Sequence, residues 1–298
     1  MLNERLHENK FKRAMVVPFR GFVKLISKKA YISLQYRYIT HHKLDWKKLL
    51  RYTEKLQYLR LYVYPKNQLV SKCAGRVGAR EYVKEKGLGN ILIKSYGIYD
   101  SFDEINFDSL PNSFAVKCTH GSGMNYICFD KSKININELK KTFNKWLKTN
   151  YGKKTVELHY SKIKPQIIIE ELMLENGKLP TEYKIHVFNG KARSLYVVSS
   201  RGEDIRYNNY YIDWTPFDGS QFNGWNKTDY PLTKPDNFDE MIKISETLAS
   251  PFPFVRVDLY NINGQIYFSE LTFTPAKGTL ILDDDNCDFE MGKWLNIN

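Results

Sequence analysis

The chain has 298 residues, 42% hydrophobic and 26% charged, with a formal net charge of +12. This is a globular composition, long enough for one large domain or two ordinary ones, and not that of a disordered chain. No apolar run of roughly 18 or more residues occurs, which excludes a membrane-spanning helix. Residues 14–26 are apolar but are interrupted by Pro18, Arg20, Gly21 and Lys24. They lack the small-residue cleavage site of a secretory leader. The four cysteines, Cys73, Cys118, Cys128 and Cys287, show no C-x-x-C spacing. Neither a disulfide framework nor a structural zinc site is expected, and a reducing cytoplasm fits best.

The charge is uneven. Residues 1–86 carry 21 Lys/Arg and 6 Asp/Glu, an excess of +15, and the remainder of the chain sums to −3. A basic block of this kind suits a polyanionic partner: an anionic membrane surface, an acidic glycan or a nucleic acid. A solvated basic surface is the plainer alternative. Nucleic acid is not expected, because zinc-finger spacing, an RNP-type aromatic motif and a helix-turn-helix pattern are all missing. Between Val16 and Tyr38, Phe19, Phe22, Leu25, Ile26, Tyr31 and Leu34 alternate with Arg20, Lys24, Lys28, Lys29 and Arg37. That spacing suits a helix lying on an anionic membrane, and equally a helix packed on its own domain.

In chain order, residues 45–59 read as a helix capped by Asp45, with Leu49, Leu50, Leu56 and Leu59 at helical spacing. Residues 76–86 read as a short helix stopped by Gly87. Ile91–Gly97 reads as a strand, and Phe114–Cys118 and Tyr126–Phe129 as strands around a glycine-rich turn. A helix near 137–149 carries Ile136, Leu139, Phe143 and Trp146 on one face. Gln166–Glu171 is a β-branched strand. Glu182–Phe188 and Ala192–Ser199 flank Asn189-Gly190, a strong hairpin signal. Residues 202–235 read as a loop. Asn237 and Glu240 form a capping-box pattern before a helix at 238–249. Phe254–Tyr260 and Gln265–Thr272 make the last hairpin. Helices and antiparallel hairpins in separate stretches point to an α+β fold.

That last hairpin carries the most chemistry. Of two registers, a three-residue loop Ile262-Asn263-Gly264 segregates charged from apolar side chains best. It sets Arg256 opposite Glu270 and Asp258 diagonal to Glu270. Diagonal neighbours lie roughly 7–8 Å apart, within reach of one hard cation. Oxygen-only ligands point to magnesium and not zinc. The plainer reading is a cross-strand Arg–Glu pair with a solvated Asp.

The second site is Val116-Lys117-Cys118-Thr119-His120-Gly121-Ser122-Gly123. It is not a Walker A loop, since no Gly-Lys-Ser/Thr follows and the next element is a strand. A glycine-rich hairpin can still let backbone N–H groups approach phosphates, with Lys117 adding a charge; a simple tight turn is the alternative. Lys184, Arg193 and Arg201 are further cations that a nucleotide site could recruit. His120 is a possible base with no visible partner.

These motifs, in this order, resemble the ATP-grasp superfamily, and specifically the TupA-like ATP-grasp group of bacterial polysaccharide-biosynthesis proteins. The likeness runs from about residue 31 to the C-terminus. It is carried by Pro111–Lys117, His120–Gly123, Pro165–Glu171, Glu182-Tyr183-Lys184, Phe188-Asn189-Gly190, Tyr211–Trp214, Pro253–Tyr260 and Phe268–Thr274. The resemblance implies ATP held between two α+β subdomains. The corresponding units are a basic helical region 1–75, an N-terminal part at 76–170 and a C-terminal subdomain at 171–298. By similarity Lys117 and Lys184 bind phosphates, and Gly121, Ser122 and Gly123 close over them. Glu170, Glu171 and Leu172 form the hinge touching adenine and ribose. Asp258 and Glu270 hold Mg2+, and Arg201 and Arg256 face the transferred phosphoryl group or the substrate carboxylate. Thr272 stands where many relatives have the Asn of a Glu-x-Asn motif, a weaker metal ligand.

The reaction implied is Mg-ATP-dependent carboxylate–amine ligation through an acyl phosphate. In this group the substrates would be an acidic or lipid-linked glycan and an amino acid or amine, handled in the cytoplasm or at the inner membrane face. A phosphotransferase or glycosyltransferase on the same fold and a non-catalytic scaffold are the alternatives. The intact set Lys117, Lys184, Arg256, Asp258 and Glu270 speaks against the scaffold.

Overall fold

The computed structural model describes residues 21–297 apart from 201–203, 223 and 225. Its strands form two antiparallel sheets, confirming an α+β arrangement. The first sheet has the order β1-β4-β2-β3, built from β1 (Ser95–Tyr99), β2 (Phe114–Cys118), β3 (Asn125–Cys128) and β4 (Ile167–Glu171). Ile167, Ile168 and Ile169 are completely buried, as a β-branched run in a central strand should be. The second sheet has the order β7-β6-β5-β8-β9, from β5 (Glu182–Phe188), β6 (Lys191–Ser199), β7 (Arg206–Tyr211), β8 (Phe254–Ile262) and β9 (Gln265–Thr272).

The chain enters through α1, helical from residue 21, the first described, to 26. It continues in α2 (Lys28–Thr40), α3 (Tyr52–Tyr58), α4 (Gln68–Ala74) and α5 (Arg76–Glu85). Tyr52 and Leu56 from α3, Leu59 just after it, Cys73 from α4 and Val83 from α5 share one core with Ile185, Val257 and Leu259 of the second sheet. These helices therefore back the sheet that carries the carboxylates. The first sheet is covered by α6 (Ile136–Leu147), whose Leu139 and Phe143 pack on Phe114 and Val116. Next come α7 (Tyr151–Thr155), α8 (Phe238–Ala249) and α9 (Asp285–Trp294). All four cysteines are buried free thiols.

Several elements differ from the sequence reading. The helix expected at 45–59 starts only at Tyr52, because Asp45 accepts from the Lys47 N–H (2.9 Å) in a local turn. Glu54 caps α3 instead, accepting from the N–H groups of Leu50 (2.8 Å) and Arg51 (3.0 Å). The strand expected at 91–97 is shifted to Ser95–Tyr99, with Ile91 in a 3-10 turn. The expected loop 202–235 holds an edge strand, β7. Asn237 does not cap α8; its side chain donates to Gly264 O (2.8 Å) and accepts from Asn261 (2.6 Å), tying the helix to the last hairpin.

That hairpin also has another register. Asn263 (φ 51°) and Gly264 (φ 81°) form a two-residue turn, a geometry that Asn-Gly favours. Ile262 pairs with Gln265, and a bulge at Ser269 then shifts the ladder by one. Asp258 therefore stands directly opposite Glu270, and Arg256 opposite Thr272. The bulge, not a longer turn, keeps polar and apolar side chains on separate faces.

Candidate active site

The ladder of β5, β8 and β9 aligns Lys184, Asp258 and Glu270 in one row and His186, Arg256 and Thr272 in the next. Side chains alternate along a strand, so the two rows share one face while Ile185, Val257 and Leu271 point into the core. Arg256 donates to both oxygens of Asp258, from Nε (2.6 Å) and Nη2 (2.7 Å). It also donates to the Tyr196 hydroxyl (2.8 Å) and to Thr272 Oγ1 (3.0 Å). Lys184 bonds the same Asp258 carboxylate and pairs with Glu182 at 2.9 Å.

Asp258 is completely buried. Burial pushes its pKa up, and the charges of Arg256 and Lys184 oppose that. Glu270 behaves differently, with 38% of its side chain reaching solvent. Burial again works upward, but the positive charges of Arg76, Lys184 and Arg256 outweigh it and hold the group at about 2. Glu270 is therefore the ionised, reachable carboxylate of the pair. His186 is no base: burial, then Arg256 and Lys184, hold it down at about 3.

The first sheet supplies the opposite wall. Lys117 on β2 donates to Glu170 Oε2 (2.8 Å), and Arg80 of α5 donates to Glu170 Oε1 (2.9 Å). Burial raises the pKa of Glu170, but Lys117, Arg76 and Arg80 more than compensate and leave it lowered. Arg76, one turn earlier on α5, lies 3.8 Å from Glu270 and donates to Cys118 O (3.2 Å). One helix thus places a cation on the acidic residue of each sheet. Gly121 and Ser122 arch over the gap beside Tyr151. A Cβ on Gly121 would come within 2.8 Å of the Tyr151 ring, so only glycine fits without displacement. Between the walls lies a cavity of about 270 Å3, reached by Arg76, Arg80, Glu170, Arg256, Glu270 and Lys277.

Of the residues singled out from sequence, Gly121, Ser122, Glu170, Arg256, Glu270 and Thr272 line this cavity. Lys117, Lys184 and Asp258 lie behind it, each bonded to a lining residue or to another of the set. Glu171 and Leu172 are not among its lining residues, nor is Gly123, which adopts φ 72° at the loop's end. Arg201 lies outside the described residues. His120 is buried away from the cavity, with Nε2 against Trp146 O (3.1 Å). Arg76, Arg80 and Lys277 were missed. The first two stand at i and i+4, one helical face, which was the available signal.

The residues present fit a magnesium–nucleotide complex. The cavity is rimmed by cations and closed by a glycine turn that lets backbone approach a ligand. Asp258 and Glu270 are hard oxygen donors, as magnesium requires. Among the described residues there is no cluster of three or more His, Cys, Asp or Glu that could hold a metal. Two carboxylates with phosphate and water completing the shell is the usual magnesium arrangement in nucleotide sites. A metal at Asp258 must displace part of its contact with Arg256 or Lys184.

Comparison with solved structures gives distant likenesses. The D-alanine–D-alanine ligase from Bacillus anthracis complexed with ATP is 15% identical, covering 69% of this chain and 56% of its own, with a TM-score of 0.45. The L-amino acid ligase from Bacillus licheniformis is 12% identical, covering 71% and 45%, with a TM-score of 0.42. The phosphoribosylamine–glycine ligase from Thermotoga maritima is 14% identical, covering 68% and 48%, with a TM-score of 0.39. The chain thus spans about half the length of these ligases. No curated protein sequence matches it. The family model described as TupA-like ATPgrasp matches residues 54–296, which takes in most of α3, α4 to α9 and both sheets. On that match the chain belongs to the TupA-like ATP-grasp family.

Proposed function

We propose that the protein is a Mg-ATP-dependent carboxylate–amine ligase that modifies a bacterial capsular or cell-wall polysaccharide, joining an amino acid or amine to a sugar acid. The observation that carries this reading is the row Lys184–Asp258–Glu270. Its Glu270 end opens onto a cavity faced by Arg76, Arg80 and the Gly121–Ser122 turn. Family membership supports the nucleotide chemistry.

In this reading a substrate carboxylate oxygen attacks the γ-phosphorus of ATP, the bond to the bridging oxygen breaks, and ADP leaves. The amine nitrogen then adds to the acyl carbon and loses a proton as phosphate departs. Arg76 and Arg256 offset the charge that builds on the phosphoryl oxygens, and Lys184 opposes the burial that raises the Asp258 pKa. Asp258 and Glu270 would hold magnesium, with Thr272 Oγ1 beside Glu270 at 3.2 Å; the metal supplies further charge neutralisation. No protein nucleophile is required, since positioning does most of the work.

The test compares the thermal midpoint of wild type and Glu270→Gln with and without ATP and magnesium. A ligand at about 100 times its dissociation constant adds roughly 2.7 kcal/mol to the folded state. The expected result is a magnesium-dependent rise that the variant loses. No rise at millimolar nucleotide sinks the reading. Mass spectrometry of a glycan acceptor then separates ligase from kinase: loss of water on joining the amine supports the former, a phosphate adduct the latter.

A further inference from the structure

The N-terminal helices present a face that the site does not use. In α1, Phe22, Leu25 and Ile26 are 62%, 85% and 69% exposed. Leu34 of α2 is exposed on the outer side of the next helix. Single exposed apolar residues are ordinary, but three large ones within five positions form a patch that marks an interaction surface. The patch is fixed in place. Ser27, at φ −150°, accepts from the Ala30 N–H and breaks the chain between α1 and α2. Lys24 donates to the carbonyls of Lys153 (3.1 Å) and Lys154 (3.3 Å), pinning one side of α1 to the end of α7. On α2, Ile32 and Tyr36 are buried, and the Tyr36 hydroxyl bonds Thr53 (2.8 Å). The inner faces are used, and the apolar side of α1 points outward.

The charge along α1 and α2 is of one sign. Lys28, Lys29 and Arg37 are exposed, and no Asp or Glu occurs between Glu8 and Asp45. A soluble polyanion would pair with the cations but leave Phe22, Leu25 and Ile26 in water. A neutral protein groove would take the apolar residues and gain nothing from the cations. An anionic lipid surface accommodates both, with apolar side chains at the acyl boundary and Lys and Arg among the headgroups. Among the described residues no helix is long and apolar enough to cross a membrane.

We propose that the outward face of α1 and the start of α2 docks this protein peripherally on an anionic bilayer. The proposal is independent of the ligase reading. It is tested with the full chain by co-sedimentation with vesicles of phosphatidylcholine alone or mixed with phosphatidylglycerol. Parallel measurements follow retention on heparin and the oligomeric state. The double variant Leu25→Ser/Ile26→Ser alters only exposed side chains, and an unchanged thermal midpoint verifies its fold. The expected result is binding to the mixed vesicles only, weakened by salt, and reduced roughly tenfold or more in the double variant with heparin retention unchanged. Lys28→Glu/Lys29→Glu should weaken both. Equal vesicle binding by wild type and Leu25→Ser/Ile26→Ser overturns the proposal, because charge alone would then account for it. Heparin retention without vesicle binding reassigns the face to a soluble polyanion. A dimer that the double variant dissolves reassigns it to a second copy of the chain.

Discussion

Arg256 and Asp258 stand two residues apart on β8 and are joined by two parallel N–H···O bonds, Nε to Oδ1 and Nη2 to Oδ2. The same carboxylate takes the Lys184 ammonium from the neighbouring strand. Two cations and one fully buried anion leave little room for a free charge. Removing the anion leaves Lys184 to Glu182 and Arg256 to the more distant Glu270 (3.4 Å), and breaking a buried pair of this kind costs about 3–5 kcal/mol. Asp258→Ala is therefore expected to lower unfolding free energy by about that amount in urea titration. Glu270→Gln, which alters the half-exposed member of the row, should cost well under half as much. Equal losses would contradict the division of labour between the two carboxylates.

Arg76, one of the three cations that sequence reasoning passed over, makes no close hydrogen bond to a carboxylate: Glu270 lies 3.8 Å away and Cys118 O takes its Nε. An arginine on a cavity wall with spare N–H donors suits phosphate oxygens. Hydrogen bonds to charged groups are worth about 1.5–3 kcal/mol, so Arg76→Ala should weaken ATP binding roughly 10- to 100-fold by calorimetry. Arg80→Ala serves as a contrast. Arg80 is committed to Glu170 and Ile93 O, so its loss should act mainly on stability.

Gly121 faces the Tyr151 ring at a distance no side chain tolerates. Gly121→Ala should push the loop off Tyr151, at about 1–3 kcal/mol of stability, and weaken nucleotide binding with it. Gly121→Ala/Tyr151→Ala removes the clash, and recovery of stability in the double variant is the measurement that checks steric contact as the cause.

Asp288 gives the fold a pH dependence away from the active site. It is buried on α9 and accepts from the Thr53 N–H (2.9 Å) and hydroxyl (2.5 Å) at the start of α3. Burial raises its pKa to about 7, with the Thr53 hydrogen bonds pulling the other way. In the unfolded chain it returns toward the ordinary carboxylate value of 3.8. A group raised on folding contributes its full stability below the unfolded value and loses it as pH climbs to the folded one. From this residue, stability falls between pH about 4 and 7. Glu270, held low, acts in the opposite sense: its contribution is full above pH about 4.5 and is lost as pH falls toward about 2. Asp288→Asn should flatten the urea midpoint between pH 4 and 7, and an unchanged slope in that window would refute the assignment.

How much of this was legible depends on whether the determinants were local. The Asn189-Gly190 turn, the Ile167–Ile169 central strand and the amphipathic α6 follow from period and turn chemistry, and all are present. The facing of Asp258 and Glu270 was not legible, because a bulge at Ser269 leaves no mark in residue type. Asp45 and Asn237 have the chemistry of helix caps, but Lys47 N–H and the Gly264 carbonyl compete for them. Arg76 and Arg80 lie on a short helix, and nothing local to it marks them as site residues. Only the packing of α5 between the two sheets turns them toward Glu270 and Glu170.

Arg60 shows the same dependence on long-range contacts. It is completely buried in a π-turn, Leu59–Val63, that continues α3. Its guanidinium donates to Val156 O (3.1 Å), Thr155 O, Gln35 Oε1 (3.1 Å), Gln57 Oε1 (2.9 Å) and Lys277 O (3.0 Å). Gln57 in turn donates to Lys277 O (2.9 Å) and Gly278 O (2.6 Å). Ala276, Lys277 and Gly278 are three consecutive left-handed residues, φ 45°, 61° and 67°, a conformation that costs the non-glycine pair about 1–2 kcal/mol each. Two side chains of the N-terminal helices thus hold a strained segment at the rim of the cavity. Gln57→Ala removes two of those clamps and should cost about 1–3 kcal/mol. Because it leaves Arg60 in place, the fold survives, and the released rim should weaken ATP binding. Arg60→Met should be more damaging, at about 3–5 kcal/mol, since it removes the guanidinium donor from the Thr155 and Val156 carbonyls and from the Gln35 side chain at once. If Gln57→Ala is destabilised yet binds Mg-ATP with unchanged affinity, the clamp is structural support alone and the rim does not position nucleotide.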